Sequence, residues 1–386
     1  MAIPHRNFGF PTAIKFGAGR VKELADHCRD NGIQRPLFVT DPGLAAMAMV
    51  QDIVDNLRKA ELGVAVFSDV RPNPVESNVH AGVKAYKHGN HDGVIAFGGG
   101  SGLDTGKLIA LMHGQTISVF DLEDIGDWWT RANPNVIPPI IAVPTTAGTG
   151  SEVGRAGVVT HPATHEKKII FHPAIMPKVA ILDPELTIGL PPKLTAATGM
   201  DALAHCLEAY CAPPYHPLAQ GVGLEGMRLI KENLPRAVRK GKDIDARGNM
   251  LVASAMGATA FQRGLGSIHA LSHPFGGLYD AHHGLLNGII MPYVLKANAR
   301  KISKHVDRAA AYLGIKGGFK GFLKWVVALR KEIGIPHALS EIGIDQQRLD
   351  EIARMAIKDP TAGGNPIQFS EAQYKALARK CVAGSL

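Results

Sequence analysis

Two pairs of residues four apart stand out for the chemistry that they could perform together. In TGMDALAHCLEAY, Asp201 and His205 lie on a strongly helical stretch, and in SIHALSHPF, His269 and His273 repeat the spacing. At about 3.6 residues per turn, residues four apart stack on one helix face. A carboxylate and imidazoles brought together from two helices make a shared N/O centre for a divalent metal. A further imidazole, His282 or His283, follows, and glycines at 276, 277 and 284 allow the chain to turn back to the same point. The plain alternative is two amphipathic helices that happen to carry histidines.

A second stretch suggests nucleotide chemistry. The apolar strand GVIAF runs into Gly98-Gly99-Gly100-Ser101 and then the helix start LDTGK. Residues without side chains let backbone N–H groups approach a pyrophosphate, and a helix N-terminus favours its charge. The pattern is neither GxGxxG nor GxxxxGK[ST]. Asp41 stands at the end of the strand predicted from Leu37 to Val39. A carboxylate there accepts hydrogen bonds from a ribose diol and repels a 2′-phosphate, which favours NAD over NADP; the alternative is an Asp-Pro-Gly turn residue. The loop PTTAGTGSE, from Pro144 to Glu152, follows a predicted buried strand. Its hydroxyls and glycines suit a ligand crevice at a strand's C-terminal end, or an ordinary polar loop.

The elements that must position these residues fall into two textures. Up to about residue 190, strands such as PLFV, VAVF, GVIAF and PPIIAV alternate with helical stretches. That rhythm predicts a parallel α/β sheet with both faces covered. From Pro191 onward every periodic stretch reads as helix and no strand is predicted. Residues 1–190 are thus expected to form a parallel α/β domain that carries the glycine turn, and 191–386 an all-helical domain that carries both metal half-sites. The boundary falls in IGLPPK, and a cleft between the domains is the expected site.

Composition bounds the function. A chain of 386 residues, 46% apolar and 20% charged, suits two soluble globular domains. The start, MAIPHRNFGFPTAIKFG, lacks the basic and apolar regions of a signal peptide, and the apolar runs are too short or too broken to span a bilayer. A cytoplasmic protein with no membrane partner is expected. Cys28, Cys206, Cys211 and Cys381 form no CxxC pair, which suits reduced thiols. The net charge of +8 is spread over the C-terminal half without a nucleic-acid motif, so a solvated basic surface is expected and no nucleic-acid partner.

Taken together, GGGSGLD with Lys107, PTTAGTGSE, LDPELT, TGMDALAHCLEAY and HALSHPFGG followed by HHG resemble the iron-containing (group III) alcohol dehydrogenases. The resemblance runs through nearly the whole chain. It implies the family's dehydroquinate synthase-like fold, a Rossmann-like N-terminal domain followed by an all-α domain. It implies that Asp201, His205, His269 and His283 hold the metal. His283 is chosen over His282 because the family's last ligand directly precedes a glycine. His273 would lie near the nicotinamide and relay a proton. The implied cofactor set is Asp41, Asn73, Gly99, Gly100, Ser101, Asp104, Thr145, Thr146, Thr149 and Lys167, with Lys168 adjacent to the last. The implied reaction is reversible hydride transfer between a primary alcohol and NAD, aided by Fe²⁺, with Zn²⁺ or another divalent ion compatible with three imidazoles and a carboxylate. Homo-oligomers, dimers or larger, are common in the family.

GSEVGRAG and FQRGLGSIHALSHP look more like the 4-hydroxybutyrate branch than the simple-alcohol branch of that family. A carboxylate substrate calls for a cation, and Arg155 or Arg263 could pair with it unless each is structural. Rival readings are a zinc-type glycerol dehydrogenase or a dehydroquinate-synthase-like cyclase of the same fold class, and a non-catalytic protein that binds metal or dinucleotide.

Overall fold

A computed structural model describes residues 9–10 and 12–386. The first eight residues of the expected N-terminal domain and Pro11, about half of the N-terminal stretch read above, lie outside the described residues. The described chain divides into two compact units. One comprises residues 12–146 and Gly150–Ile188; the other holds Gly189–Leu386 together with Ala147–Thr149 and the described residues Gly9 and Phe10.

The first unit is built on a six-stranded sheet. Its elements in chain order are β1 (Ala13–Phe16), α1 (Leu24–Asp30), β2 (Pro36–Val39), α2 (Pro42–Ala45), α3 (Ala48–Lys59), β3 (Ala65–Phe67), α4 (Glu76–His88), β4 (Gly93–Gly98), α5 (Gly100–Met112) and β5 (Ile140–Pro144). Then come β6 (Ala156–Thr160), β7 (Lys167–Phe171) and β8 (Val179–Leu182). The strand order is β1-β8-β5-β4-β2-β3, and every pairing in it is parallel. Strand side chains alternate between faces, so each face collects its own core. Leu37, Val39, Val94, Ala96, Ile140 and Ala142 pack with Val79 and Tyr86 of α4 and Leu108 of α5. Phe38, Ile95, Phe97, Ile141 and Val143 pack on the other side with Leu24 of α1 and Val50 and Val54 of α3.

Two features of this unit were not predicted. β8 inserts between β1 and β5, and β6 and β7 form a separate antiparallel hairpin.

The second unit is helical: α6 (Pro192–Cys211), α7 (Pro217–Arg239), α8 (Ile244–Ala260), α9 (Ser267–Tyr279), α10 (His283–Tyr312), α11 (Gly318–Glu332), α12 (Leu349–Lys358) and α13 (Glu371–Ala383). α6 is its axis, with every residue from Thr195 to Cys211 buried. A helix apolar or small all round must be covered all round, and α7, α8 and α10 pack against it. Ala196, Ala197, Ala202 and Ala204, with Leu203, Leu207 and Tyr210, join Ile230, Leu271, Phe275 and Ile289 in one continuous core.

Candidate active site

Four side chains meet inside the helical unit. Asp201 and His205 project from one face of α6, His269 from the first turn of α9, and His283 from the start of α10. The Asp201 Oδ1 lies 3.9 Å from His205 Nε2, 3.8 Å from His269 Nε2 and 3.5 Å from His283 Nε2. Asp201, His205 and His269 are all buried, at 2%, 5% and 1% exposure, so these polar atoms are drawn together away from bulk water.

The other ring nitrogens explain why Nε2 faces inward in all three histidines. His205 Nδ1 donates to the Gly148 carbonyl at 3.3 Å. His269 Nδ1 donates to Glu208 Oε2 at 2.6 Å, and His283 Nδ1 bonds Ser272 Oγ at 3.4 Å. A proton committed at Nδ1 leaves the Nε2 lone pair available.

A tetrahedron of ligands about 2.1 Å from a divalent ion has edges of about 3.4 Å, close to the oxygen–nitrogen separations seen. The Asn287 amide marks the same point. Its Nδ2 lies 2.7 Å from Asp201 Oδ1 and 3.2 Å from Nε2 of both His269 and His283, while its Oδ1 has no partner among the described residues. A point where one carboxylate oxygen and several imidazole lone pairs converge takes a positively polarised occupant. The donor set therefore fits a divalent metal, Fe²⁺ and Zn²⁺ included.

Burial pushes the His205 pKa down to about 4, against the pull of Asp201. That keeps its imidazole neutral, the form that ligates. Burial also works to lower His269, but the Glu208 hydrogen bond and the nearby charges of Glu208 and Asp201 outweigh it, and the net shift is upward.

His273, one turn beyond His269 on α9, makes a different contact. Its Nδ1 lies 2.7 Å from Asp359 Oδ2, and its ring stacks on that of His283 with centroids 5.2 Å apart. His282 is separated from the centre by role as well as position. It is exposed and caps α10, its Nδ1 accepting from the Leu285 N–H at 3.4 Å. The reversal between α9 and α10 is not made by the predicted glycines. Gly276 and Gly277 lie within α9, and Asp280 turns the chain in the left-handed region at φ 51°. Gly284 has another use. A Cβ there would lie 2.4 Å from the Ala197 carbonyl oxygen and 3.1 Å from Asp201 Cβ, so only glycine lets α10 approach α6 beside Asp201.

The candidate cofactor residues, Thr149 excepted, lie in the sheet unit. Asp41 follows β2 and caps α2, its Oδ1 accepting from Leu44 N–H at 3.0 Å. Gly99 is the N-cap of α5 and Gly100 its first residue, and no side chain caps that helix start. The first turn of α5 packs directly on β4, where a Cβ on Gly102 would lie 2.6 Å from the Phe97 carbonyl oxygen. Ser101 Oγ donates to the Pro72 carbonyl, tying α5 to the turn that holds Asn73. Thr145 follows β5 and its N–H donates to the Gly98 carbonyl at 2.9 Å, while the Thr146 side chain faces Gly99. Thr149 belongs to the short piece that groups with the helical unit.

Asp104 accepts from Ser151 Oγ and from the Val158 N–H at 3.0 Å, and it pairs with buried Lys107 at 3.3 Å. Both of its oxygens thus tie α5 to the 151–158 segment. Lys167 opens β7, and the adjacent Lys168 is committed to Glu166 at 2.9 Å and Glu123 at 3.5 Å.

The two arginines part company. Arg263 is 6% exposed. Its guanidinium donates to the carbonyls of Pro214 at 2.6 Å, Ala209 at 3.0 Å and Tyr210. It caps the C-terminal end of α6, its Nε and Nη1 donors engaged with carbonyls, which argues for a structural role and against the expectation that it awaits a substrate carboxylate. Arg155 is exposed, its guanidinium 5.5 Å from the Phe171 ring centroid.

Three residues at the site went unnoticed in the sequence. Glu208 lies seven residues after Asp201 on α6, and Asn287 four residues after His283 on α10. Both spacings put them on the ligand face, which is the signal that could have found them. Asp359, 86 residues from His273, carried no local signal.

The description "Iron-containing alcohol dehydrogenase" matches residues 11–184, and "Fe-containing alcohol dehydrogenase family, C-terminal" matches residues 195–382. The chain is 38% identical over 377 residues to a protein of Cupriavidus necator named 4-hydroxybutyrate dehydrogenase, covering 95% of this chain and 97% of that one. A solved structure of a 1,3-propanediol oxidoreductase superposes with a TM-score of 0.92 at 35% identity, covering 97% of this chain and all of that one. A sulfoacetaldehyde reductase from Bifidobacterium kashiwanohense, solved in complex with NAD⁺, gives 0.88 at 29% identity, covering 98% of this chain and 99% of that one.

Proposed function

This chain belongs to the iron-containing alcohol dehydrogenase family, and we propose that it interconverts a short primary alcohol and its aldehyde with NAD, taking ω-hydroxy acids such as 4-hydroxybutyrate among its substrates. The observation that carries this reading is the convergence of three histidine Nε2 atoms on Asp201 Oδ1 at 3.5 to 3.9 Å. Asp201, His205, His269 and His283 would hold the divalent metal, Fe²⁺ by family. Bound there, the metal supplies Lewis-acid polarisation of the alcohol oxygen, and NAD supplies the hydride acceptor.

The rest is the work of the chain's own residues. Glu208, Gly148 and Ser272 set the histidine rings. His273, oriented by Asp359 at Nδ1, presents Nε2 as the atom that passes the alcohol proton toward solvent. The N–H groups at the start of α5 and the Gly99-Gly100 turn receive the cofactor pyrophosphate. Asp41, at the end of β2, receives the ribose diol. Thr145, Thr146, Thr149, Asn73 and Lys167 complete the cofactor contacts on this reading, with Ser101 and Asp104 holding the backbone that presents them.

The substrate range is supported by likeness to the 4-hydroxybutyrate dehydrogenase and by the exposed Arg155 guanidinium. We also read the chain as a cytoplasmic homo-oligomer. Its four cysteines are free and buried, and among the described residues no helix is long and apolar enough to cross a membrane. The edge strand β1 exposes Ile14 and Phe16. The deciding experiment follows NADH formation by iron-loaded protein offered 1-butanol, 1,3-propanediol and 4-hydroxybutyrate, each with NAD and with NADP. A rate on none of them rejects the enzyme reading. A strong preference for 1-butanol over the acid rejects the ω-hydroxy-acid reading alone.

A further inference from the structure

We propose that Glu208 is the positioning carboxylate of the metal centre. It fixes which nitrogen of His269 carries the proton, and it ties the helix bearing Asp201 and His205 to the start of the helix bearing His269. The inference rests on the ligand assignment made above and assigns a role to a residue outside it.

Glu208 stands three residues past His205 and seven past Asp201, on the ligand face of α6. Its side chain is 6% exposed. Two oxygens there take three N–H groups, all from the segment that opens α9. Oε2 accepts from Gly266 N–H at 3.0 Å and from His269 Nδ1 at 2.6 Å, and Oε1 accepts from Ile268 N–H at 2.6 Å. The first N–H groups of a helix have no intrahelical acceptor, and the N-cap of α9 is Gly266, which has no side chain to offer. Glu208 supplies the cap from another helix, where a negative charge is favoured by the helix dipole. Between these two, the Ser267 N–H goes to Asn365 Oδ1 at 3.2 Å.

The consequence for His269 follows from donor and acceptor counting. A carboxylate only accepts, so His269 Nδ1 must be the protonated nitrogen. Its Nε2 then carries the lone pair, and that is the atom 3.8 Å from Asp201 Oδ1. Glu208 sits on the Nδ1 side of the ring, behind the ligand and not among the ligands. A neutral amide in its place would reverse the count. With its oxygen on Ile268 N–H, its NH₂ would stand in the place of Oε2, where it faces Gly266 N–H and Nδ1, turning the Nδ1 lone pair toward itself and the Nε2 lone pair away from the centre.

The test strips the full-length chain of metal with a chelator and titrates it with Co²⁺, reading the visible absorption of the bound ion. Glu208→Gln is expected to raise the Co²⁺ dissociation constant about ten- to a hundredfold, as loss of a carboxylate behind a metal-bound histidine does. Asn365→Ala is the structural control. It removes the other cap of the same helix start, so it should lower the melting temperature while leaving the Co²⁺ constant within about threefold of the unsubstituted chain.

Binding by Glu208→Gln equal to that of the unsubstituted chain, with His269→Ala binding far more weakly, overturns this inference and leaves the ligand assignment standing. Equal binding by His269→Ala overturns the ligand assignment itself. An equal loss of Co²⁺ affinity in Asn365→Ala and Glu208→Gln reduces Glu208 to a helix cap and overturns the positioning role. Should Glu208→Gln fail to fold, Glu208→Asp takes its place. It keeps the charge but not the reach, and unaltered Co²⁺ affinity in it counts against the proposal equally.

Discussion

Asp359 Oδ2 lies 2.7 Å from His273 Nδ1, joining the segment after α12 to the second turn of α9. Burial works to raise the Asp359 carboxyl, but the charge and hydrogen bond of His273, with the bonds from Thr361, outweigh it and hold it below the usual carboxylate range. The carboxylate at Nδ1 orients the ring and aims the opposite nitrogen of His273. Asp359→Asn should therefore keep its metal, measured by plasma mass spectrometry, and lose kcat on the order of a hundredfold, the scale of a general acid–base contribution. A kcat within twofold of the unsubstituted enzyme would dismiss the dyad.

His282 and His283 are neighbours with separate tasks. His283 faces Asp201, whereas His282 caps α10 from an exposed position. His283→Ala and His269→Ala should each purify with little metal and little activity. His282→Ala should keep its metal and lose at most about 1 kcal/mol of stability with its cap. Full metal content in His283→Ala would move the last ligand elsewhere.

The arginines make opposite predictions. Arg263→Met abandons buried carbonyls at the end of α6, each costing roughly 1–3 kcal/mol, so thermal unfolding should shift sharply downward. The ratio of kcat/KM for 4-hydroxybutyrate to that for 1-butanol should not change in any folded Arg263 variant. Arg155→Met should fold normally and lower that ratio by at most about fivefold, the scale of a solvent-exposed ion pair. An unchanged ratio in Arg155→Met removes it from the substrate contacts.

Asp41 doubles as the cap of α2, which bears on its test. Glycine is a tolerable N-cap, costing only a few tenths of a kcal/mol relative to Asp. Asp41→Gly should therefore keep the fold while relaxing discrimination between NAD and NADP in steady-state kinetics. Retention of the full NAD preference would assign selectivity to other residues.

Glu152 gives a pH prediction. Its carboxyl is 1% exposed, and neither oxygen has a partner among the described residues. Burial pushes its pKa up to about 7, partly opposed by the dipole of its own backbone amide and by the Lys107 charge. A carboxyl raised on folding binds its proton more tightly in the folded state. Stability is thus lost as pH rises from the unfolded value through about 7. Glu152→Gln should accordingly gain in melting temperature relative to the unsubstituted chain between pH 5 and pH 8, with a ceiling of roughly 3 kcal/mol. A difference independent of pH would show that Glu152 ionises freely.

The legible parts of the molecule were those encoded by short-range spacing. Asp201 with His205 and His269 with His273 declare themselves because a helix turns every 3.6 residues. The parallel sheet was legible in its buried strands, such as GVIAFG. β8 was not, since its four residues gain meaning only by pairing with β1, whose Ala13 matches Val179 across the sheet. Arg263 was misread for the same reason. Nearness to His269 in sequence suggested a ligand, while its carbonyl partners lie 49 to 54 residues upstream. Glu208 looked like any helix glutamate because its acceptor role depends on where another helix begins.

Gly284 sets a dimension that no rotamer can alter. With Ala197 O only 2.4 Å from where a Cβ would stand, α6 and α10 meet main chain to main chain beside Asp201 and His283. The gap between Asp201 and His283 is therefore gauged by backbone, like the jaws of a fixed calliper. First-row divalent ions with bonds near 2.1 Å match such a gauge. Calcium, with bonds of about 2.3–2.6 Å and a demand for more oxygens, would have to prise the two helices apart. The frame thus sorts ions by size before ligand chemistry is consulted, and the choice among the small ions passes to their supply in the cell.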